Sequence, residues 1–190
     1  MLPVTDRGRL EALSTRIHGE RAVYTDKWVR LTLVDIEPPG GGRFEHHVVR
    51  LARVVTAAVI NESDEVMLMW RHRFAVDEWG WELPGGIAEV GEEPAVTAAR
   101  EFEEETGWRP IGSLRHLVSF QPMPGMVDTP HEVWTAVGAE KVGEPSDTEE
   151  AAVIEWVPLA NVPDMVKRGE IAGSGPLVGL LTLLMERQGN

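Results

Sequence analysis

The stretch REFEEETG, residues 100–107, places four glutamates within five consecutive positions. On a helix, like charges three or four residues apart repel, and each pair costs about 0.2–0.5 kcal/mol. A fold that contains this segment must either expose these charges to solvent or place cations beside them. The flanking residues predict a helix, because Pro94 suits a first helical position and Gly107 suits a helix end.

This helix has an apolar side and an adjacent acidic side. At 100° per residue, the side expected to face the core comprises Ala95, Ala98, Ala99 and Phe102. The acidic side spans roughly 100° and comprises Glu101, Glu104 and Glu105, whereas Glu103 points elsewhere. A solvated acidic face is one interpretation. The other is a site for hard divalent cations, which take oxygen ligands and can activate water against a phosphate.

Composition limits the function classes that remain. The 190 residues, 43% hydrophobic and 26% charged, are typical of one soluble domain, with or without a small appendage. A net charge of −13 argues against broad nucleic-acid binding, and the absence of cysteine excludes disulfides and thiolate sites. No apolar signal core begins the chain, and the apolar stretch 176–185 is too short to cross a bilayer. We therefore expect a cytoplasmic protein without a membrane partner.

The order of strand and helix patterns predicts an α/β protein with a mixed sheet between helices. Residues 26–52 are typical of two strands around a glycine-rich turn, and 121–130 of a Pro/Gly-rich loop. Further strands are expected at 54–60, 65–70, 114–120, 132–140 and 153–159, and C-terminal helices within 161–169 and 175–187.

The spacing of residues from Gly86 onward is specific enough to indicate a family. The chain has the pattern G-(five)-E-(seven)-R-E-U-x-E-E-x-G-U, where U is bulky and apolar. The matching positions are Gly86, Glu92, Arg100, Glu101, Phe102, Glu104, Glu105, Gly107 and Trp108. This pattern resembles the signature of the Nudix hydrolases, without a mismatch over 23 residues. The resemblance implies an α/β/α sandwich on a mixed sheet. It also implies hydrolysis of a nucleoside diphosphate linked to another group, with Mg²⁺, or alternatively Mn²⁺, as cofactor.

The resemblance also implies roles for the signature residues. The expected metal-binding positions are Glu101, Glu104, Glu105 and Gly86. Arg100 would hold a glutamate in place by charge-assisted hydrogen bonds. The glycines at 85 and 86 would let the backbone turn and approach the metal or phosphate, and Gly107 would end the helix in the left-handed conformation. For Glu92 we favour bracing of the loop over metal binding.

Residues outside the signature resemble those of the ADP-ribose pyrophosphatases. Pro124 lies sixteen residues after Trp108, and with Gly125 it belongs to a loop similar to the substrate loop of those enzymes. Arg73 would bind a phosphate and Glu82 the nucleoside. An ordinary rigid turn at Pro124, a surface ion pair at Arg73 and an edge carboxylate at Glu82 are the alternatives.

The N-terminal part resembles the small β-unit through which those enzymes form swapped homodimers. We therefore predict two parts, residues 1–52 for dimerisation and nucleotide contact and residues 53–190 for the Nudix domain. Trp28 would stack on adenine, or else serve as a core or interface anchor.

Hydrolysis needs a base to activate water, and the resemblance places it on the loop before residues 153–159. Glu150 matches that position best, with Glu149 beside it. Glu105 is the alternative base, and Asp128 and Glu132 are weaker candidates. The adjacent His46 and His47 would face opposite ways in a strand, which argues against a shared metal ion.

The expected reaction converts ADP-ribose to AMP and ribose 5-phosphate. Nucleotide sugars of the GDP-mannose type and nucleoside triphosphates are the alternative substrates. A non-catalytic nucleotide sensor is disfavoured, because such domains usually have eroded signature glutamates and none is lost here.

Overall fold

The structure, a computed structural model, describes residues 7–146 and 151–188. The chain divides into two compact units. The first comprises Met1–Ala52 and Met123–Thr129, and the second comprises Arg53–Pro122 and Pro130–Asn190. The short segment 123–129, which the sequence did not associate with the N-terminal part, thus belongs to the first unit.

The first unit is a four-stranded sheet with a short helix before it. Its elements are α1 (Arg7–Ala12), β1 (Arg16–Thr25), β2 (Val29–Glu37), β3 (Phe44–Leu51) and β10 (Val127–Asp128). The order is β1-β2-β3-β10, with β1, β2 and β3 antiparallel and β10 parallel to β3. The prediction of two strands was therefore incomplete. Strand β1 is exposed along its whole length, so it lacks the apolar alternation that would have indicated it.

Within residues 53–146 and 151–188, the second unit contains three α-helices, a 3₁₀ helix (Leu159–Asn161) and most of the strands. Its elements are β4 (Val54–Ile60), β5 (Glu65–Arg73), β6 (Glu78–Glu82), β7 (Gly85–Ile87), α2 (Pro94–Thr106), β8 (Trp108–Pro110), β9 (Arg115–Phe120), β11 (His131–Val137), β12 (Ala139–Lys141), β13 (Val153–Pro158), α3 (Val162–Lys167) and α4 (Ser174–Gln188). The principal sheet has the order β13-β5-β4-β11-β9, and β6 and β7 pair with β5 and β4. It is mixed, since β11 runs parallel to β4 and the other pairs are antiparallel.

Two apolar cores lie on opposite faces of this sheet. One joins Val55, Ala57 and Val59 of β4 to Ala98 and Phe102 of α2. The other joins Ala58 and Ile60 of β4 to buried residues of α3 and α4, among them Val162, Met165, Leu180 and Leu183. Alternate residues of one strand thus serve the two faces. The prediction of an α/β/α sandwich on a mixed sheet is confirmed.

Helix α2 begins and ends where the sequence predicted. Pro94 lies in its first turn, and Gly107 ends it with φ 73° and donates its N–H to the Glu103 carbonyl over 2.8 Å. The buried face differs from the prediction, because it comprises Thr97, Ala98, Phe102, Glu105 and Thr106. Ala95 and Ala99 are only partly buried. The helix is therefore rotated so that one of the signature glutamates points into the protein.

Strand β5 continues three residues beyond the predicted end at Trp70. The extension pairs with β6, with Arg71 opposite Gly80 and Arg73 opposite Glu78. Two arginines thereby become strand residues with fixed directions.

Helix α4 covers the sheet face opposite α2, and its buried residues include Leu180 and Leu183. Among the helices of residues 7–146 and 151–188, none has both the length and the apolar character needed to cross a bilayer.

Candidate active site

The turn between β6 and α2 brings a helix carboxylate directly onto the sheet. Strand β7 pairs with β4, with Gly86 opposite Val55 and Gly85 opposite Thr56. A Cβ on Gly86 would lie 2.5–2.6 Å from the Glu101 carboxylate, and one on Gly85 would collide with the backbone of Val55. Only glycine leaves room for these contacts.

Arg100 connects three carboxylates of the signature. Its Nη1 donates to Oε1 of Glu101 over 2.8 Å and to Oε2 of Glu104 over 3.0 Å. Its Nε and Nη2 donate to the two oxygens of Glu92 over 3.0 and 3.1 Å. Hydrogen bonding to Glu92, followed by that to Glu101, raises the pKa of the Arg100 guanidinium. The arginine therefore stays cationic while it binds all three carboxylates.

Glu92 braces the loop that precedes α2. Besides Arg100, it accepts hydrogen bonds from Oγ1 of Thr97 over 2.8 Å and from the N–H of Glu89 over 3.3 Å. The Arg100 guanidinium and then the Thr97 hydroxyl lower the pKa of Glu92 to about 2. These contacts support the bracing role over metal binding.

Glu105 is the inward-pointing glutamate, and it is bound from two sides. Glu105 is only 5% exposed to solvent. Oε2 accepts the N–H of Gly85 over 2.6 Å, and Oε1 accepts Nη1 of the equally buried Arg71 over 3.1 Å. Arg71 was not among the predicted site residues. The signal was available, because strand alternation from the buried Met67 and Met69 places residue 71 on the same face.

Glu103 lies apart from the other glutamates, as its helical angle predicted. It accepts two hydrogen bonds from Arg109, over 2.8 and 2.9 Å. All four glutamates of the helix are thus bound by arginines. The repulsion between the glutamates, for which solvent or bound cations were the two expected remedies, is already offset by the protein's own guanidinium groups.

The helix carboxylates are the type of ligand that a hard divalent cation takes, although they do not point at one common position. Within residues 7–146 and 151–188, no three acidic or histidine side chains form a metal-binding group. However, Nη1 of Arg100 already lies between one oxygen of Glu101 and one of Glu104. A positively charged group therefore occupies the space between two oxygen donors, which are the ligands that Mg²⁺ and Mn²⁺ prefer. Glu101 and Glu104 would hold a divalent ion, and Glu105 is fixed beside the same turn.

Arg73 and Glu82, expected to bind different parts of a substrate, bind each other. Nε and Nη2 of Arg73 donate to the two oxygens of Glu82 over 2.8 and 2.5 Å. Glu82 is buried and Arg73 is about half exposed. A phosphate that binds Arg73 would therefore have to share it with Glu82.

Three predicted substrate residues lie in the first unit. Trp28 is 60% exposed. It lies two residues after Asp26, whose carboxylate accepts the backbone N–H of Trp28 over 2.7 Å and so fixes the turn. This exposure argues against a core anchor. Pro124 and Gly125 line a cavity of about 320 Å³, and the Gly125 carbonyl accepts a hydrogen bond from Nε2 of His46 over 2.8 Å.

The candidate bases differ in how they are held. Glu150 and its neighbour Glu149 lie outside the described residues. Asp128 pairs with Arg50 over 2.8 Å. Glu132 pairs with Arg53 over 3.1 Å and accepts Nε1 of Trp134 over 3.1 Å.

Replacing Gly86 with alanine should displace the Glu101 carboxylate, because the new Cβ would lie within 2.6 Å of it. We expect the Mn²⁺ affinity, measured by electron paramagnetic resonance, to fall about tenfold or more. Gly19→Ala is the control, since a Cβ there meets nothing within 4 Å. Unchanged Mn²⁺ binding by a folded Gly86→Ala protein would contradict this geometry.

The lowered pKa of Glu92 predicts a pH-dependent contribution to stability. Its usual value is 4.5 and its folded value is about 2, so the contribution is complete above pH 4.5 and is lost as the pH falls toward 2. Glu92→Gln should melt below the wild type at pH 7, and the difference should shrink toward pH 2. The exposed Glu62→Gln is the control in thermal melts; a gap independent of pH would show that this ion pair is not the cause.

Comparison with known proteins agrees with this geometry. The family model for the NUDIX domain matches residues 50–174. A CMP-5′-(N-acetyl-N-hydroxy-3-aminopropyl)phosphonate hydrolase of Streptomyces rubellomurinus is 46% identical over 166 residues, covering 87% of this chain and 80% of the relative. An ADP-ribose pyrophosphatase of Mycobacterium tuberculosis is 32% identical over 151 residues, covering 78% and 72%.

A solved structure described as an ADP compounds hydrolase shares the fold, with a TM-score of 0.79 over 93% of this chain and 95% of that chain. Its sequence identity is 18%, so this likeness concerns the fold alone. The family model covers more than half of the chain and includes the glycine turn, the signature helix and Arg71. Nudix hydrolases generally need divalent metal ions. This chain belongs to the Nudix hydrolase family.

Proposed function

We propose that the protein hydrolyses the anhydride between a nucleoside 5′-monophosphate and a second phosphorus-containing group, with Mg²⁺ as cofactor and Mn²⁺ as the alternative. The observation that carries this proposal is the bridge from Glu101 through Arg100 to Glu104, beside the Gly86 turn. At this turn, the carboxylates of Glu101 and Glu104 already bind the positively charged guanidinium of Arg100, and the neighbouring Gly86 has no side chain to block a phosphate.

The residues of the site divide the work between ion, phosphate and water. Glu101 and Glu104 would hold the divalent ion, and Glu105, which Arg71 and the Gly85 N–H fix beside them, would contribute its carboxylate to the same ion. When bound, the ion supplies charge for the phosphates and lowers the pKa of a water molecule. The glycine turn lets the phosphate chain approach closely. Because Arg71 and the Gly85 N–H already bind Glu105, we assign the proton transfer to Glu150, with Glu105 as the alternative.

The first substrate candidate is ADP-ribose, which would give AMP and ribose 5-phosphate. The similarity to the Mycobacterium tuberculosis ADP-ribose pyrophosphatase supports it. So does the exposure of Trp28, which provides a flat surface on which a nucleobase can stack.

The second candidate is a cytidine monophosphate joined to a phosphonate. It is favoured by the 46% identity to the Streptomyces rubellomurinus enzyme, which is named for such a substrate. The bond to be broken is again a phosphorus–oxygen–phosphorus bridge, so the same ion and turn would serve. A nucleic acid is disfavoured as substrate, because the net charge of −13 would repel its phosphate backbone.

A substrate panel tests the proposed function. ADP-ribose, a CMP-phosphonate conjugate, GDP-mannose and a nucleoside triphosphate would be assayed with Mg²⁺, Mn²⁺ and EDTA. We expect turnover of ADP-ribose or the CMP conjugate to exceed that of the other two and to stop in EDTA.

Glu104→Gln should lose about a hundredfold or more in kcat, because it removes a group that holds the stabilising charge.

The matched control is Glu103→Gln on the same helix, which should retain activity because Arg109 binds Glu103 away from the site. Full activity of Glu104→Gln would contradict the proposed metal site. Binding of nucleotides without hydrolysis of any of them would instead favour a sensor.

We further propose a homodimer that forms through the first unit. Strand β1 is exposed along its length, and it carries the exposed apolar side chains Ile17, Val23 and Tyr24. Such a surface is typical of an interface.

Sedimentation velocity should show a dimer, and Ile17→Glu should weaken it by placing a charge in the interface. Leu181→Glu on the exposed side of α4 is the control, and it should leave the dimer unchanged. A wild-type monomer at every concentration would contradict this proposal.

A further inference from the structure

A buried positive charge lies behind the signature helix. Arg71 is 7% exposed and projects from β5 in register with the buried Met67 and Met69. Arginine is almost never buried without a partner. Its presence at this depth therefore calls for a role.

Among the described residues, Arg71 pairs with the last glutamate of the signature. Nη1 of Arg71 lies 3.1 Å from Oε1 of Glu105, while the Gly85 N–H lies 2.6 Å from Oε2. Strand β5 and the glycine turn thus hold the two oxygens of one carboxylate from different directions. The direction of Glu105 is set before any ion binds.

The two arginines of the site differ in their freedom to move. The Arg100 side chain is 30% exposed, so it can turn toward solvent when an ion binds between Glu101 and Glu104. The Arg71 side chain is 8% exposed and is enclosed. A divalent ion bound to Glu105 would have the Arg71 charge within a few ångströms, and like charges at that distance repel strongly away from bulk water.

We propose that Arg71 is a positioning residue that acts through Glu105: it stabilises the metal-free site and lowers the site's affinity for a divalent ion. This inference rests on the proposed function, in which Glu105 belongs to the metal site. Arg71 and the ion are then competing counter-charges for one carboxylate. The negative phosphates of a substrate offset Arg71, so the ion binds more tightly when the nucleotide is present.

The test compares a neutral and a charged replacement of Arg71. Mn²⁺ binding would be measured by electron paramagnetic resonance, with and without AMP, and thermal unfolding would be measured in EDTA. Arg71→Gln should melt lower in EDTA, and without nucleotide it should bind Mn²⁺ about tenfold more tightly than the wild type. Arg71→Lys keeps the charge and should retain the wild-type Mn²⁺ affinity.

Two further variants separate this role from general packing. Arg109→Gln removes the arginine of the exposed Glu103 pair and should leave Mn²⁺ affinity unchanged. The double variant Arg71→Gln/Glu105→Gln removes both buried charges, so it should regain melting temperature in EDTA and lose the gain in Mn²⁺ affinity. If Arg71→Gln does not fold, Arg71→Met, which removes the charge but keeps most of the side-chain volume, takes its place in the same Mn²⁺ measurement.

The inference is overturned if Arg71→Gln melts lower but binds Mn²⁺ no more tightly than the wild type, since that describes a purely structural arginine. It is also overturned if Arg71→Lys gains affinity as Arg71→Gln does. Failure of the proposed function gives a different result: neither the wild type nor Arg71→Gln would bind Mn²⁺, with AMP or without it.

Discussion

Pairing between guanidinium and carboxylate groups allows helix α2 to pack its acidic side against the sheet. Arg100 binds Glu101 and Glu104, Arg71 binds Glu105, and a third arginine binds the remaining glutamate. These ion pairs contribute different amounts to the free energy of unfolding. The exposed pair of Glu103 with Arg109 contributes little to stability, because solvent and salt screen it. Breaking a buried pair such as Arg71–Glu105 costs about 3–5 kcal/mol, because it leaves an unpaired charge inside the protein.

The same pairing connects the fold with the chemistry. The glycine turn joins strand β7 to the helix, and it is narrow enough for the Glu101 carboxylate to contact Gly86. Carboxylate oxygens and a backbone without side chains therefore lie together where β7 pairs with the central strand β4. In the proposed function, this arrangement selects the phosphorus–oxygen–phosphorus bridge as the bond that is broken. In the proposed function, the choice between adenosine and cytidine derivatives would rest on residues outside the signature, and the names of the two relatives differ in that choice.

Local patterns predicted the elements that have a strong periodicity or clear end signals. Strand β4 matches its apolar run, and α2 begins at Pro94 and ends before Gly107. Strands β1 and β10 were missed for different reasons. Strand β1 is exposed throughout, so no alternation marks it. Strand β10 has only two residues, and it exists through pairing with β3, far away in the chain. Pairing between distant segments has no local signal.

The sequence alone determined the chemical class of the site, because the identities and spacing of the glycines, Arg100 and the glutamates are local properties of a turn and a helix. Helical periodicity also separated Glu103 from the other three glutamates. Only the tertiary structure decided that Glu105 points inward, that Arg71 meets it, and that Arg73 and Glu82 bind each other. The physical reason is that these contacts depend on the rotation of α2 against the sheet and on the register of β5 with β6. Packing of the whole second unit sets both.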